Sequence, residues 1–274
     1  MRRRSLARRV GKVLGLTLCI FTALGGTVWA AAPTGPGDTA SAICQPVTTS
    51  RGSFTAALVD PVASSSGMNV QVDVDADGCD IGVYFDSLRT GGTYSFYNVH
   101  GAGYYGVFVD GAGPAVDFAQ SSVSDIGDMN AQDIANSGGF SGGQHGIGAL
   151  YVGGATGTIE RTQIYDFQKN GTAFLGAGTN VTIDDSYVRG LGPIGFITQN
   201  GIEYGDGAAG RATDNVVQDI GPYQPPPGQT PFVAIALLIV NSNPNSIYRH
   251  GNDYVDDQNN EVVCPAQNKF CSGA

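Results

Sequence analysis

Positive charge is scarce in this chain, and much of it sits at one end. Lys and Arg supply 14 of 274 residues against 24 Asp and Glu, and six of the 14 (Arg2, Arg3, Arg4, Arg8, Arg9 and Lys12) lie at the N-terminus. Without that leading segment the chain keeps 8 basic against 24 acidic groups, a formal charge of −16. Such a surface repels nucleic acid and anionic membranes, which argues against both as partners, and it repels polyanionic sugars unless a cation bridges them. A sustained apolar stripe at 3.6-residue spacing is also missing, so helical repeats are disfavoured. The apolar run from Val13 to Leu24 is too short for a comfortable membrane span.

What those first residues do form is a targeting segment. A basic n-region precedes the apolar run, and Val28-Trp29-Ala30 and Ala30-Ala31-Ala32 offer small-residue cleavage sites. Residues 1–30 are read as a signal peptide, 31–66 as a linker and N-terminal cap, and 67–274 as the folded domain with a C-terminal cap. Export to the extracellular space or the cell envelope follows, with nothing integral to the membrane once the signal is removed. The arginines only weakly suggest twin-arginine export, and the bulky Leu18 before Cys19 argues against a lipoprotein. Four cysteines remain after the signal, Cys44, Cys79, Cys264 and Cys271. An even number in an exported chain suggests two disulfides. Of the three connectivities, sequence proximity favours Cys44–Cys79 and Cys264–Cys271, which would pin both ends.

The organising stretch is Thr158 to Gly192. Ile159, Ile164 and Phe167 are apolar at steps of five and three, and Ile183, Val188 and Leu191 repeat those steps 24 residues later. The template also fits Tyr94, Val99 and Ala102; Phe118, Val123 and Ile126; Ala212, Val217 and Ile220; and a degraded copy at Ile247, Asn252 and Val255. Successive first positions are 24, 41, 24, 29 and 35 residues apart, which reads as a coil of about 24 residues with insertions in three turns. Gly supplies 41 residues, and the apolar positions are rich in β-branched and aromatic types. Short strands separated by Gly, Asn and Asp turns at this period suit a β-solenoid, so the fold class is all-β.

The phrases Thr182-Ile183-Asp184-Asp185-Ser186-Tyr187-Val188 and Ala212-Thr213-Asp214-Asn215-Val216-Val217, with Gly171 or Gly146-Ile147 opening the next apolar run, resemble right-handed parallel β-helix repeats of the pectate-lyase-like superfamily. The likeness covers roughly residues 92–258. In such repeats a small or polar residue sits between the first two apolar positions; that column here reads Tyr97, Ser121, Thr162, Ser186, Asn215, His250. The resemblance implies a single-stranded right-handed parallel β-helix with a site in a groove along one sheet, walled by the longer turns. Its members include lyases, hydrolases, epimerases and non-catalytic surface proteins, so fold alone does not fix activity.

Three insertions stand out, near Gly127–His145, Gln199–Arg211 and Pro222–Pro231, and insertions in a repeat gather on one face. Hydrolysis of a glycosidic bond needs two carboxyl groups, and Asp184 and Asp185 form the most concentrated pair in the regular part. That pair resembles the paired aspartates of polygalacturonase-type hydrolases, and Gln144-His145-Gly146 faintly resembles their Gly-His-Gly. His145 precedes the aspartates, however, and no Arg-Ile-Lys follows. The catalytic candidates are therefore Asp184, Asp185, Glu203 and His145. Arg161, Arg189, Tyr204 and Arg211 are substrate-binding candidates, and the arginines would serve as bases or clamps in a lyase. Tyr104, Tyr105, Tyr151, Tyr165 and Tyr187 offer rings for sugar stacking, and equally for packing between strands.

Asp73, Asp75 and Asp77, within DVDADG, match the first half of a Ca2+ loop, but Tyr84 stands where a closing Glu belongs. A calcium site and a solvated acidic strand face both stay open there. One of Asp184 and Asp185 is free to bond turn backbone, because neighbours on a strand point to opposite faces. Asp125, Asp166 and Asp219 recur before the third apolar position, the mark of a turn former. Two functions are expected: an exported protein acting on or binding polysaccharide or a cell-surface glycan, as a lyase or hydrolase; or a non-enzymatic secreted or envelope protein with a binding, adhesive or structural role.

Overall fold

The computed structural model describes residues 43–64, 71–127, 145–195, 197–224, 227–228 and 232–264. All lie within one compact unit, Thr39–Ala274. The expected signal peptide, Cys271 and most of the first expected insertion fall outside the described residues.

The described chain is all-β, with one short 3-10 turn at Pro244–Ser246 and no α-helix. It opens with an antiparallel hairpin, β1 (Gln45–Thr49) and β2 (Gly52–Val59). It then visits three sheets in rotation. The first cycle is β3 (Val72–Asp75), β4 (Ile81–Phe85) and β5 (Gly92–Ser95); the second is β6 (Tyr97–His100), β7 (Tyr105–Asp110) and β8 (Val116–Ala119). The third is β9 (Ser122–Ser124), β10 (Ile147–Val152) and β11 (Thr156–Glu160), and the fourth is β12 (Gln163–Tyr165), β13 (Asn170–Leu175) and β14 (Asn180–Asp184). The fifth is β15 (Tyr187–Ile194), β16 (Asn200–Gly205) and β17 (Ala209–Thr213). After β18 (Val216–Tyr223), β19 (Ile235–Val240) and β20 (Ile247–His250), β21 (Asp253–Val255) and β22 (Glu261–Cys264) close the series. The first strands of the cycles form a seven-stranded sheet, the second strands belong to a nine-stranded sheet with the hairpin, and the third strands form a six-stranded sheet. Pairing within the cycles is parallel throughout. The result is a solenoid-like stack of parallel sheets.

Period-2 alternation explains the core. Tyr94, Phe118, Ile159, Ile183 and Ala212 pair in register along the six-stranded sheet, and Val99, Val123, Ile164, Val188 and Val217 along the seven-stranded one, all buried. Ile126 and Phe167 form a parallel bridge at the next corner. Two copies of the template depart from it. A bulge puts Gly192 rather than Leu191 opposite Ile220. In the last coil Arg249 lies opposite Ala212 and Tyr254 opposite Val217, so Ile247 and Asn252 come two residues too early. Residues Asn241–Ser246, which include the 3-10 turn, lengthen that coil beyond the apolar match.

The corner from the six- to the seven-stranded sheet is built the same way in six coils. Phe96, Gln120, Arg161, Asp185, Asp214 and Gly251 all take positive φ. The residue after each is a rung in a ladder. Ser121 Oγ accepts from Tyr97 N–H, Ser186 Oγ from Thr162 N–H, Asn215 Oδ1 from Ser186 N–H and Asn252 Oδ1 from Asn215 N–H. Asn252, not His250, is the last rung, and His250 is exposed. Asp125, Asp166, Asp219 and Asp256 have positive φ at the next corner, as their recurrence implied. That corner also needs close approach: a Cβ on Gly171 would lie 2.4 Å from Val188 Cγ1 and 2.7 Å from Gly201 O.

The Cys44–Cys79 disulfide pins the N-terminal end. Cys264 is also disulfide-bonded, with its partner outside the described residues. No helix among the described residues is long and apolar enough to cross a membrane, and a disulfide suits an oxidising compartment.

Asn215 is fully buried, and its amide also donates to Ile183 O at 3.0 Å. Replacing it by Leu strands the Ser186 N–H and the Ile183 carbonyl. The expected cost is about 2–4 kcal/mol in equilibrium denaturation, whereas Gln120→Asn at the exposed corner should cost under about 1 kcal/mol.

Candidate functional site

The sequence candidates fall on different surfaces because strand alternation sends neighbours to opposite sides. Asp184 faces outward from the six-stranded sheet and accepts a hydrogen bond from the Thr213 hydroxyl. Arg211 lies on that same sheet, its guanidinium 4.7 Å from the centre of the Tyr248 ring. Asp185, by contrast, is the positive-φ corner residue and is exposed. Tyr204 is inside the core, where its hydroxyl donates to Val181 O and Arg211 O; it does not reach a surface ligand.

Residues 199–211 are not an insertion. They supply β16 and β17, and Glu203 is a strand residue. The extra length of that coil lies between Arg189 and Asn200, largely as an extension of β15 to Ile194, where the seven-stranded sheet hands over to the nine-stranded one. The long connections before β10 and β19 enter at that same handover, so all three insertions share one corner.

The outer face of the seven-stranded sheet gathers the largest share of candidates. One row carries Asp73, Asn98, Ser122, Gln163, Tyr187 and Val216. The parallel row carries Asp75, His100, Tyr165, Arg189 and Gln218. Neighbours along a row are about 4.8 Å apart, the spacing of paired strands. Asp73 Oδ1 accepts from Asn98 Nδ2 at 2.6 Å, Asn98 Oδ1 from Ser122 Oγ at 2.6 Å, and Gln218 Oε1 from Tyr187 OH at 3.0 Å. His100 sits between Asp73 and Asp75, at 3.5 and 4.0 Å. Arg189 lies 5.6 Å from the Tyr165 ring centre and 3.4 Å from Asp166 Oδ1. A shallow open recess, lined by Arg161, Asp185, Asp214, Gln163, Tyr187 and Val216, borders this face. It joins Arg161 and Asp185 to Asp214, whose role the sequence pattern did not mark. Among the described residues no three His, Cys, Asp or Glu side chains are arranged to hold a metal ion, and Asp73, Asp75 and Asp77 make no such group.

Glu203 and His145 belong to the nine-stranded sheet. Its outer face is apolar along Tyr84, Phe108, Leu150, Ala173 and Leu238, and Glu203 interrupts that column between Ala173 and Leu238. Asn170 and Asn200 donate to Glu203 Oε2 at 2.5 and 3.4 Å, and Lys169 Nζ donates to Thr198 O at 2.9 Å. Burial pushes the Glu203 carboxyl up and the Lys169 ammonium down to about 8, each countered by the other's charge. Thr198 Oγ1 and Asn200 Oδ1 are buried without a partner. His145 stacks on Tyr104 with ring centres 4.5 Å apart at the leading corner of the same sheet. Sequence reasoning passed over Lys169 and Asn200 and did not place Asn170, the first residue of an Asn-Gly-Thr sequon, beside Glu203; the Asn-Gly pairs at 170–171 and 200–201, aligned in register, were the available signal. No family model matches the chain, and no match is found among the curated proteins or the solved structures.

Two predictions follow from the buried charges. Lys169→Met leaves Glu203 without its counter-charge and should cost about 3 kcal/mol, with most of it recovered in Lys169→Met/Glu203→Leu, read by denaturant titration. The Asp257 carboxyl is raised from 3.8 to about 6 by burial and by the nearby Asp219 and Asp256 charges. Below about pH 4 both folded and unfolded chains hold this proton; between about 4 and 6 the unfolded chain ionises first, so stability falls as pH rises and stays lowered above 6. Asp257→Asn keeps an acceptor for the Ile220 N–H, now bonded at 2.8 Å. It should raise the melting temperature at pH 7.5 and leave it unchanged at pH 3.5.

Proposed function

We propose that this protein is an exported right-handed parallel β-helix of the pectate-lyase-like kind, with coils of about 24 residues, that binds an extended polysaccharide. The ligand would lie along the outer face of the seven-stranded sheet. One observation carries this reading: two in-register rows of amide, hydroxyl and aromatic side chains run along that face and meet a recess at Tyr187 and Gln163. Tyr165 and Tyr187 give apolar ring surface for the C–H faces of sugars, and Asn98, Ser122, Gln163 and Gln218 give hydroxyl partners.

Binding is favoured over catalysis because the candidate carboxylates are dispersed. Asp184 and Glu203 occupy sheets other than the one that carries the rows, and Asp185 is spent on a corner. A hydrolase reading keeps one supporting observation, the presence of Asp185 and Asp214 on successive coils at the recess.

The test is a binding and product screen of the purified protein against neutral, acidic and amino polysaccharides. Binding without new reducing ends or ultraviolet-absorbing products is expected, and Tyr187→Ala should weaken it about five- to tenfold. Reducing ends abolished by Asp185→Asn would establish the hydrolase instead. Silence across the panel would refute a glycan ligand.

A further inference from the structure

The carboxylates around the seven-stranded face select among glycans. We propose that its ligand is a polycationic glycan, a polymer of amino sugars with free ammonium groups, and not a polyuronate. This rests on the glycan-binding reading above and names its chemical class.

The face itself is defined by its aromatic and amide rows; charge decides what they accept. Along the edge facing the nine-stranded sheet run Asp125, Asp166, Asp219 and Asp256, and on the opposite edge Asp185 and Asp214 flank the recess. Asp73, Asp75 and Asp253 add carboxylates on the face. Among the described residues, the cationic side chains near them are Arg161 and Arg189, with His100 at one end and Arg249, paired with Glu261, in the last coil. Arg161 and Arg189 are engaged as well: Arg161 Nη2 lies 2.7 Å from Glu160 Oε1, and Arg189 Nη2 lies 3.4 Å from Asp166 Oδ1. The one lysine among the described residues, Lys169, is buried under the neighbouring sheet, bonded to Thr198 O.

A polyuronate would therefore bring a carboxylate on every sugar to a face where carboxylates outnumber arginines and where Arg161 and Arg189 already pair with an acidic side chain. It would also need bridging cations, and no cluster of three metal-ligating side chains is present among the described residues. An ammonium-bearing sugar meets the reverse situation. Asp125 and Asp166, Asp185 and Asp214, and Asp219 and Asp256 stand in pairs on successive coils about 4.8 Å apart, close enough for one ammonium group to meet both members of a pair. Tyr165 and Tyr187 then supply the stacking surface that tells a sugar chain from a flexible basic peptide.

Calorimetry with three oligomer probes decides the matter: glucosamine oligomers, the same oligomers fully N-acetylated, and galacturonate oligomers, each at about 20 and 200 mM salt, which brackets the Debye length at contact distances. The glucosamine form should bind at least tenfold tighter than the acetylated form, and the gap should shrink at high salt. In Asp125→Asn/Asp219→Asn the gap should narrow further, because Asn tolerates the left-handed corner while removing charge; the melting temperature reports that the corner is intact. Equal affinity for the glucosamine and acetylated forms would overturn the cationic class while leaving a glycan ligand standing, as would tighter binding of galacturonate oligomers. Polylysine binding as tightly as glucosamine oligomers, unaffected by Tyr187→Ala, would overturn the proposal by showing a general polycation surface. No binding of any oligomer would overturn both readings.

Discussion

The whole stack depends on one local manoeuvre: the chain must leave the six-stranded sheet and enter the seven-stranded one through a single left-handed residue. That turn exposes the next backbone N–H to the interior, where water cannot serve it. The side chain of the equivalent residue one coil later supplies the acceptor, as Ser186 does for Thr162 and Asn215 for Ser186. At four of these corners a coil is thus unfinished until its successor is in place. This ties stability to nearest-neighbour contact along the stack. It also fixes the register of the apolar columns on either side, since a slip of one residue would break the rung and turn the core outward together.

The same manoeuvre sets the charge of the molecule. Only Gly, Asn and Asp enter the left-handed region cheaply. Among the described residues, eight of the twelve non-glycine residues found there are aspartate. Much of the acidity is therefore a by-product of turning corners, and it falls where corners fall, along the borders of the sheets. Charge that looks diffuse in composition becomes linear in space. The buried Lys169 and Glu203 are of a different kind: the amides of Asn170 and Asn200 hold Glu203, the Thr198 carbonyl holds Lys169, and neither residue takes a left-handed corner.

The legible part of the sequence was the part repeated. The columns through Ile159 and Ile164 read correctly over five coils because each position is filled by a β-branched or aromatic side chain in most of them. Where a coil substitutes Arg249 and Tyr254 for aliphatics, the pattern offered Ile247 and Asn252 instead, and the reading slipped by two. The stretch Gln199–Arg211 looked like a loop because its outward positions are polar and its inward ones include Gly, although from Asn200 on it supplies two strands. Site residues were harder still. Asp184 and Asp185 are adjacent in sequence and belong to different surfaces, and Tyr204 resembles a surface aromatic in every respect except the direction its strand points it. Which face a residue occupies is set by register, and register is a property of neighbours, not of the residue.

All three long connections enter at the handover to the nine-stranded sheet. The corner with the rung ladder carries no comparable insertion, since an added residue there would disconnect two coils at once. The longest additions to the chain are channelled to a single seam, while a shorter one, Asn241–Ser246, falls at another corner. A foreign peptide spliced at that seam would be displayed beside the polar rows at a chosen height on the stack, with the coil number acting as its address. The fold is in this sense a ruler with one writable edge.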